Sequence, residues 1–273
     1  MIFDLVVEKH FVSSEVTLSY VESQPDGEPV LLIHGVTSRW QPFQSVLPVL
    51  TEKYHVYAMD LRGHGGSSHT PGEYSLSDYT RDVQQFIARQ IQSPAIVYGH
   101  SLGALVAINL AAQQPQSIRS LILGDPPLYY WDTPINETHW HKAFIDLLDF
   151  MITYHDPGKM DAWLAKNFPS MSAERRAERV NSLEKLDPDV VRAVISNELM
   201  RGISLTDLLP RVACPVMLLQ GNHDLGSALR EQDIEFAMTH FPAAKTLEME
   251  TVGHGIIPVS LLPQLIEFIG TQG

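Results

Sequence analysis

Residues 94–114 read PAIVYGHSLGALVAINLAAQQ, and this stretch decides the fold. Residues 94–98 are an apolar run, as in strands that are buried on both faces, whereas residues 102–114 are rich in Ala and Leu, as helices are. Between them GHSLG (99–103) matches G-x-S-x-G, a pattern typical of a sharp strand-to-helix turn. The flanking glycines let the chain turn without clashes. The sequence therefore predicts that the Ser101 hydroxyl stands at the carboxyl edge of a sheet, beside a helix N-terminus that favours negative charge.

The chain on both sides of this stretch alternates between strand and helix patterns. Further short apolar runs occur at residues 29–33, 55–59, 120–123, 215–219 and 246–249. Strands that alternate with helices predict βαβ units and a mostly parallel sheet. Residues 126–210 break the alternation, because they carry helical patterns and many aromatic side chains but no convincing strand. We therefore predict a core domain of residues 1–125 and 211–273, with residues 126–210 inserted as a helical cap.

The composition is that of an ordinary soluble globular protein and excludes several kinds of partner. Of the 273 residues, 44% are hydrophobic and 19% charged, and the formal net charge is −13. Nucleic acids and anionic membrane surfaces bind clustered Lys and Arg, so neither is expected here. The sequence has no long apolar run that could span a membrane. It also shows no signal peptide pattern, and the expected location is the cytoplasm.

Neither a disulfide nor a metal site is expected. Cys214 is the only cysteine, and it precedes an apolar run, so it is interpreted as a small buried side chain. His139 and His141 are two positions apart and would not share a helix face, so metal binding there is not expected. No cofactor is expected either.

A serine hydroxyl needs a base before it can act as a nucleophile at neutral pH. His254 is the best candidate, because it follows the last predicted strand and is flanked by glycines in VGHG (252–255). A carboxylate must then orient the imidazole, and the chain order Ser, acid, His leaves two candidates. Asp224 follows the strand at 215–219 and is favoured. Asp125 follows the strand at 120–123 and stays open as the alternative, although it also marks the start of the cap.

Two backbone N–H groups are predicted to form an oxyanion hole. One is that of Leu102, the residue after the candidate nucleophile, and the other is that of Val36, in the loop that follows the strand at 29–33. Gly35 allows this loop to approach closely, whereas His34 is expected to pack and to form hydrogen bonds rather than to catalyse.

The chain resembles the α/β-hydrolase superfamily over roughly residues 28–270. The resemblance rests on HGVTSRW (34–40), DLRGHGGS (60–67), GHSLG (99–103), GNHD (221–224) and VGHG (252–255). It implies an α/β-hydrolase fold, with a mostly parallel eight-stranded sheet flanked by helices and an inserted helical cap. It also implies that Asp60, Arg62 and His64 brace the nucleophile and oxyanion loops. Ser101 stands where dehalogenases and epoxide hydrolases of the superfamily carry aspartate, so those activities are not expected.

The resulting hypothesis is a cofactor-free serine hydrolase with Ser101, Asp224 and His254 as its triad. By resemblance, the substrate is a small to medium carboxylic ester or lactone with an apolar or aromatic portion under the cap. The resemblance also leaves open carbon–carbon bond hydrolysis and cofactor-free perhydrolysis by the same triad. Outside enzymes, the alternative is a small-molecule receptor on the same scaffold.

Overall fold

The computed structural model describes residues 5–169 and 171–271. Residues 1–4, where the predicted core domain begins, lie outside the described part. The strands are β1 Val6–Val12, β2 Thr17–Ser23, β3 Glu28–Ile33, β4 Tyr54–Met59, β5 Ala95–His100, β6 Ile118–Gly124, β7 Val216–Gly221 and β8 Ala244–Met249. The helices are α1 Leu47–Leu50, α2 Leu76–Phe86, α3 Leu102–Gln113, α4 His139–Thr153, α5 Pro157–Asn167, α6 Ala173–Glu184, α7 Pro188–Ile195, α8 Leu205–Leu208, α9 Glu231–His240 and α10 Leu262–Gly270.

In the described part of the chain, one eight-stranded sheet has the order β1-β2-β4-β3-β5-β6-β7-β8. Strands β3 to β8 pair in parallel, whereas β2 is antiparallel to both β1 and β4. This is the predicted mostly parallel sheet, and the prediction of an α/β-hydrolase fold is confirmed. The carboxyl ends of the parallel strands meet at one edge of the sheet, where chain segments that are distant in sequence come together.

The two faces of the sheet bury different layers of helices, because alternate residues of a strand point to opposite sides. Leu31 and Val97 point towards α2, α3 and α9, whereas Leu32 and Ile96 point towards α1 and α10. Helix α3 is buried from Leu102 to Ala112. Such all-round apolar character is typical of a central helix, and it fixes the position of the residue that precedes the helix.

The described residues between β6 and β7 form only helices and turns, and side chains of α4 to α8 join the same hydrophobic cluster as one face of the sheet. Within this layer Phe150, Tyr154 and Trp163 form a cluster of aromatic rings. A buried hydrogen bond from the Tyr74 hydroxyl to Asp187 Oδ2 (2.6 Å) joins the layer to the core. Across residues 5–169 and 171–271, no helix combines the length and the apolar character needed to cross a membrane.

Candidate active site

Ser101 lies in the turn between β5 and α3, with backbone angles φ 52° and ψ −113°. A positive φ is strained for a residue other than glycine, and such strain is found at functional sites. Both flanking glycines are required by close packing. A Cβ on Gly99 would lie 2.3 Å from the carbonyl oxygen of Gly103, and a Cβ on Gly103 would lie 2.4 Å from that of Ile33. The turn therefore holds the serine rigidly at the edge of the sheet.

His254 lies in the loop after β8 and joins Ser101 to a carboxylate. Its Nε2 is 2.9 Å from Ser101 Oγ, and its Nδ1 is 2.6 Å from Asp125 Oδ2. The imidazole side chain is 25% exposed, whereas Asp125 is fully buried. Hydroxyl, imidazole and carboxylate thus form one hydrogen-bonded chain that opens into a cavity at the serine end.

The structure corrects the sequence-based choice of Asp224 as the acid, because Asp125 occupies that position. Asp125 Oδ1 accepts hydrogen bonds from Ser227 Oγ (2.5 Å) and from the Gly221 N–H (3.2 Å), and Oδ2 accepts one from the Ala228 N–H (2.8 Å). Burial opposes ionisation of this carboxyl. The hydrogen bonds from His254, Ser227 and Ala228 outweigh burial, however, so the pKa of Asp125 is lowered from its ordinary value.

Asp224 faces solvent and makes no hydrogen bond or ion pair with His254. The Asn222 side chain accepts hydrogen bonds from the N–H groups of Asp224 and Leu225, which closes a tight turn after β7. That turn directs Asp224 outwards and returns the chain at Ser227 to cover Asp125. Ser227, which sequence reasoning missed, carries no local signal of this role.

The HGV loop (34–36) lies directly against the nucleophile. A Cβ on Gly35 would be 3.0 Å from Ser101 Cβ and 3.0 Å from His100 Nδ1. Val36 and Leu102 both line the cavity. Within the described residues, neither backbone N–H donates a hydrogen bond. Both groups are therefore free to donate to an oxygen atom in the cavity.

Buried polar groups support this loop from behind. His34 Nδ1–H donates to the Gly35 carbonyl oxygen (2.8 Å), and His34 Nε2 accepts from the Leu61 N–H (3.0 Å). This pairing suits the neutral ring, and burial lowers the pKa of His34 well below its ordinary value. His64 Nε2 lies 2.7 Å from the carbonyl oxygen of Val36. These contacts hold the backbone of the HGV loop in place.

Asp60 and Arg62, in the loop that follows β4, hold neighbouring segments of the chain in place. Asp60 accepts hydrogen bonds from the N–H groups of Trp40 (2.8 Å) and Gly66 (2.9 Å). Arg62 forms a buried, two-point ion pair with Asp82. Neither Asp60 nor Arg62 lines the cavity. Any effect of these two side chains on the site therefore passes through the loops that they hold.

The cavity above Ser101 has a volume of about 660 Å³. Its roof comes from the helical layer and includes several aromatic side chains, namely Tyr129, Tyr130, Trp140 and Phe144. The Trp140 ring lies 5.5 Å from the His254 ring. His100 is buried beneath the cavity, 4.9 Å from His254 between ring centres. Burial, with a smaller contribution from His254, lowers the pKa of His100 to about 3.

The fold defines the class of this protein, which is an α/β-hydrolase. The structure of an N-formylmaleamic acid deformylase from Pseudomonas putida superposes with a TM-score of 0.78 at 22% identity, and the match covers 96% of this chain and 99% of the other. The family model described as serine aminopeptidase, S33, matches residues 24–256. The chain belongs to this family, and the resemblance noted in its sequence is confirmed.

Curated relatives include enzymes with different substrates. One is 2-(acetamidomethylene)succinate hydrolase of Mesorhizobium japonicum, which is 28% identical over 232 residues, or 79% of this chain and 80% of the relative. Another is lipase 3 of a Moraxella species, 24% identical over 271 residues, or 92% of this chain and 79% of the relative. Both names describe hydrolases, but of different substrates.

Proposed function

We propose that the protein hydrolyses small to medium carboxylic esters or lactones through an acyl-enzyme on Ser101. The observation that supports this most strongly is the hydrogen-bonded chain from Ser101 Oγ through His254 to Asp125. A nucleophile, a base and a group that orients the base are the three parts that such chemistry requires. The relative named as a lipase supports the choice of an ester bond.

In the first half of the reaction, Ser101 Oγ attacks the acyl carbonyl carbon while His254 Nε2 takes the hydroxyl proton. Negative charge develops on the carbonyl oxygen, and the free N–H groups of Val36 and Leu102 bind it. Each such donor typically contributes about 10²–10³ to turnover. His254 then gives its proton to the leaving alcohol, and the carbon–oxygen bond breaks to leave the acyl-enzyme.

In the second half, His254 Nε2 takes a proton from water, and the hydroxide attacks the acyl-enzyme. The proton returns to Ser101 as the acid product leaves, so one water molecule is consumed per ester. Asp125 accepts the Nδ1–H of His254 throughout and stabilises the imidazolium when it forms. The aromatic roof supports a substrate with an apolar or aromatic portion.

The test is turnover of p-nitrophenyl butyrate by the wild-type protein and by Ser101→Ala. We expect Ser101→Ala to lose at least about 10³-fold in kcat, because the nucleophile is gone. The same assay is run with a panel of esters and lactones. Vinylogous diketones test the carbon–carbon hydrolase alternative, and hydrogen peroxide with a carboxylic acid tests the perhydrolase alternative. Slow labelling of Ser101 in a single turnover, with the product retained, would instead favour the receptor.

The cytoplasmic location stays a prediction.

A further inference from the structure

Arg179, on α6, lines the same cavity as Ser101. Across the described residues, no carboxylate oxygen lies within 4.0 Å of its guanidinium. By contrast, the buried Arg62 is paired with Asp82. The Nη1–H group of Arg179 donates to Thr37, at 2.7 Å to Oγ1 and 3.3 Å to the carbonyl oxygen. The cavity wall therefore holds a cation that nothing in the described chain neutralises.

Arg179 is half-buried in the cavity wall. Removing a charge from water without a counter-charge is costly, so burial lowers the pKa of its guanidinium. A guanidinium has five N–H donors in a rigid planar fork. The contacts with Thr37 use one edge of that fork, and the Nε and Nη2 groups of Arg179 make no hydrogen bond to a described residue. The remaining N–H groups form the parallel pair that matches the two oxygens of a carboxylate.

Arg179 and Ser101 lie beside the same loop, the one that follows β3. Gly35 lies against Ser101, and Thr37 is two residues further along the same loop. Successive Cα atoms are about 3.8 Å apart, so Thr37 Cα is within about 8 Å of Gly35 Cα. A carboxylate on the guanidinium and a carbonyl carbon at Ser101 would therefore lie beside the same short segment of chain, within one cavity of about 660 Å³.

We propose that Arg179 binds a distal carboxylate of the substrate, and that the preferred substrates are half-esters of short dicarboxylic acids. The proposal rests on the proposed function, since it names the acyl group for the same site. The two other charged residues on the cavity wall, Arg175 and Glu178, are exposed. Arg179 is thus the less exposed of the two arginines on the cavity wall.

The experiment compares two chromogenic substrates of equal chain length, 4-nitrophenyl hydrogen glutarate and the same ester with its carboxylate masked as a methyl ester. We expect wild-type kcat/KM to be at least tenfold higher for the free acid. Arg179→Met should lower that value by about 10- to 100-fold, mainly through KM, and leave the masked ester within threefold. Arg179→Lys should recover part of the loss, because it keeps the charge but not the fork.

Arg176→Met is the matched control, because Arg176 lies on the same helix but pairs with Asp161 and does not line the cavity. It should change neither substrate by more than threefold. Equal losses on both substrates in Arg179→Met would overturn the proposal and make Arg179 a purely structural link to Thr37. A wild-type protein that does not prefer the free acid would also overturn it, while the proposed function would stand.

If neither these esters nor p-nitrophenyl butyrate is cleaved through Ser101, the proposed function fails, and a binding measurement still decides the role of Arg179. Glutarate is titrated calorimetrically into Ser101→Ala and into the Ser101→Ala, Arg179→Met double variant. Binding that is lost with Arg179 supports a carboxylate site. No binding to Ser101→Ala, or equal binding to both proteins, overturns it.

Discussion

Replacing Asp125 by Asn gives the sharpest test of the candidate active site. The amide keeps one oxygen, which can still accept from Ser227 Oγ and the Gly221 N–H, as Oδ1 does now. The NH₂ group then replaces Oδ2 and faces His254 Nδ1. The imidazole can accept this bond only with its proton on Nε2, which points at Ser101. In that tautomer His254 cannot take the serine proton.

The expected loss is about 10⁴ in kcat, the usual cost when the wrong tautomer is imposed on a catalytic histidine. At about 1.36 kcal/mol per tenfold, this corresponds to roughly 5.4 kcal/mol in the activation free energy. Stability should also fall, by about 1–3 kcal/mol, because the new NH₂ group would face the N–H of Ala228, which now donates to Oδ2.

The assay is p-nitrophenyl butyrate turnover, well below the unfolding temperature of each variant, which is measured by circular dichroism. The matched control is Asp224→Asn. This residue is exposed and touches neither His254 nor Ser101, so kcat should stay within threefold of wild type. The two variants remove the same charge from loops that follow neighbouring strands, and they differ in the contact with His254.

A collapse of turnover in Asp224→Asn, with Asp125→Asn within tenfold of wild type, would refute the assignment of the acid. Full activity in both folded variants would refute the whole chain of hydrogen bonds as the source of catalysis. Restored activity of Asp125→Asn at high pH would agree with the tautomer explanation, since hydroxide can then supply the missing base strength.

Two further predictions concern stability. The pKa of His100 is lowered to about 3 by burial, so its neutral form contributes stability that is complete above pH 6.5 and is lost as the pH falls towards 3. In urea unfolding, the wild type should therefore lose about 1–2 kcal/mol in total between pH 6.5 and 5 relative to His100→Phe; parallel pH dependences would contradict this. Gly103→Ala should destabilise the fold by about 3 kcal/mol, because its Cβ would meet the Ile33 carbonyl at 2.4 Å. Gly270→Ala, which meets nothing within 4 Å, is its control, and equal unfolding free energies would refute the steric reasoning.

Local sequence patterns were enough to predict the sheet and the position of Ser101. Residues within about 20 positions of one another specify the apolar run, the G-x-S-x-G turn and the Ala-rich helix. The buried strand, the turn and the helix can therefore be predicted directly from the sequence. Parallel strands then bring every strand end to one edge. That rule placed Ser101, His254 and both acid candidates in the same region.

Only the tertiary structure decided between the two acids and put Arg179 in the cavity. Asp125 and Asp224 both follow buried strands, and no local preference separates them. The difference arises because Asn222 turns Asp224 into solvent while Ser227 and Ala228 close over Asp125. The position of Arg179 depends on how the helical layer docks on Thr37, the residue after the HGV loop, and these two residues are 142 positions apart. Such contacts are set by packing between secondary-structure elements. The hydrophobic periodicity within one element does not predict how that element packs on another.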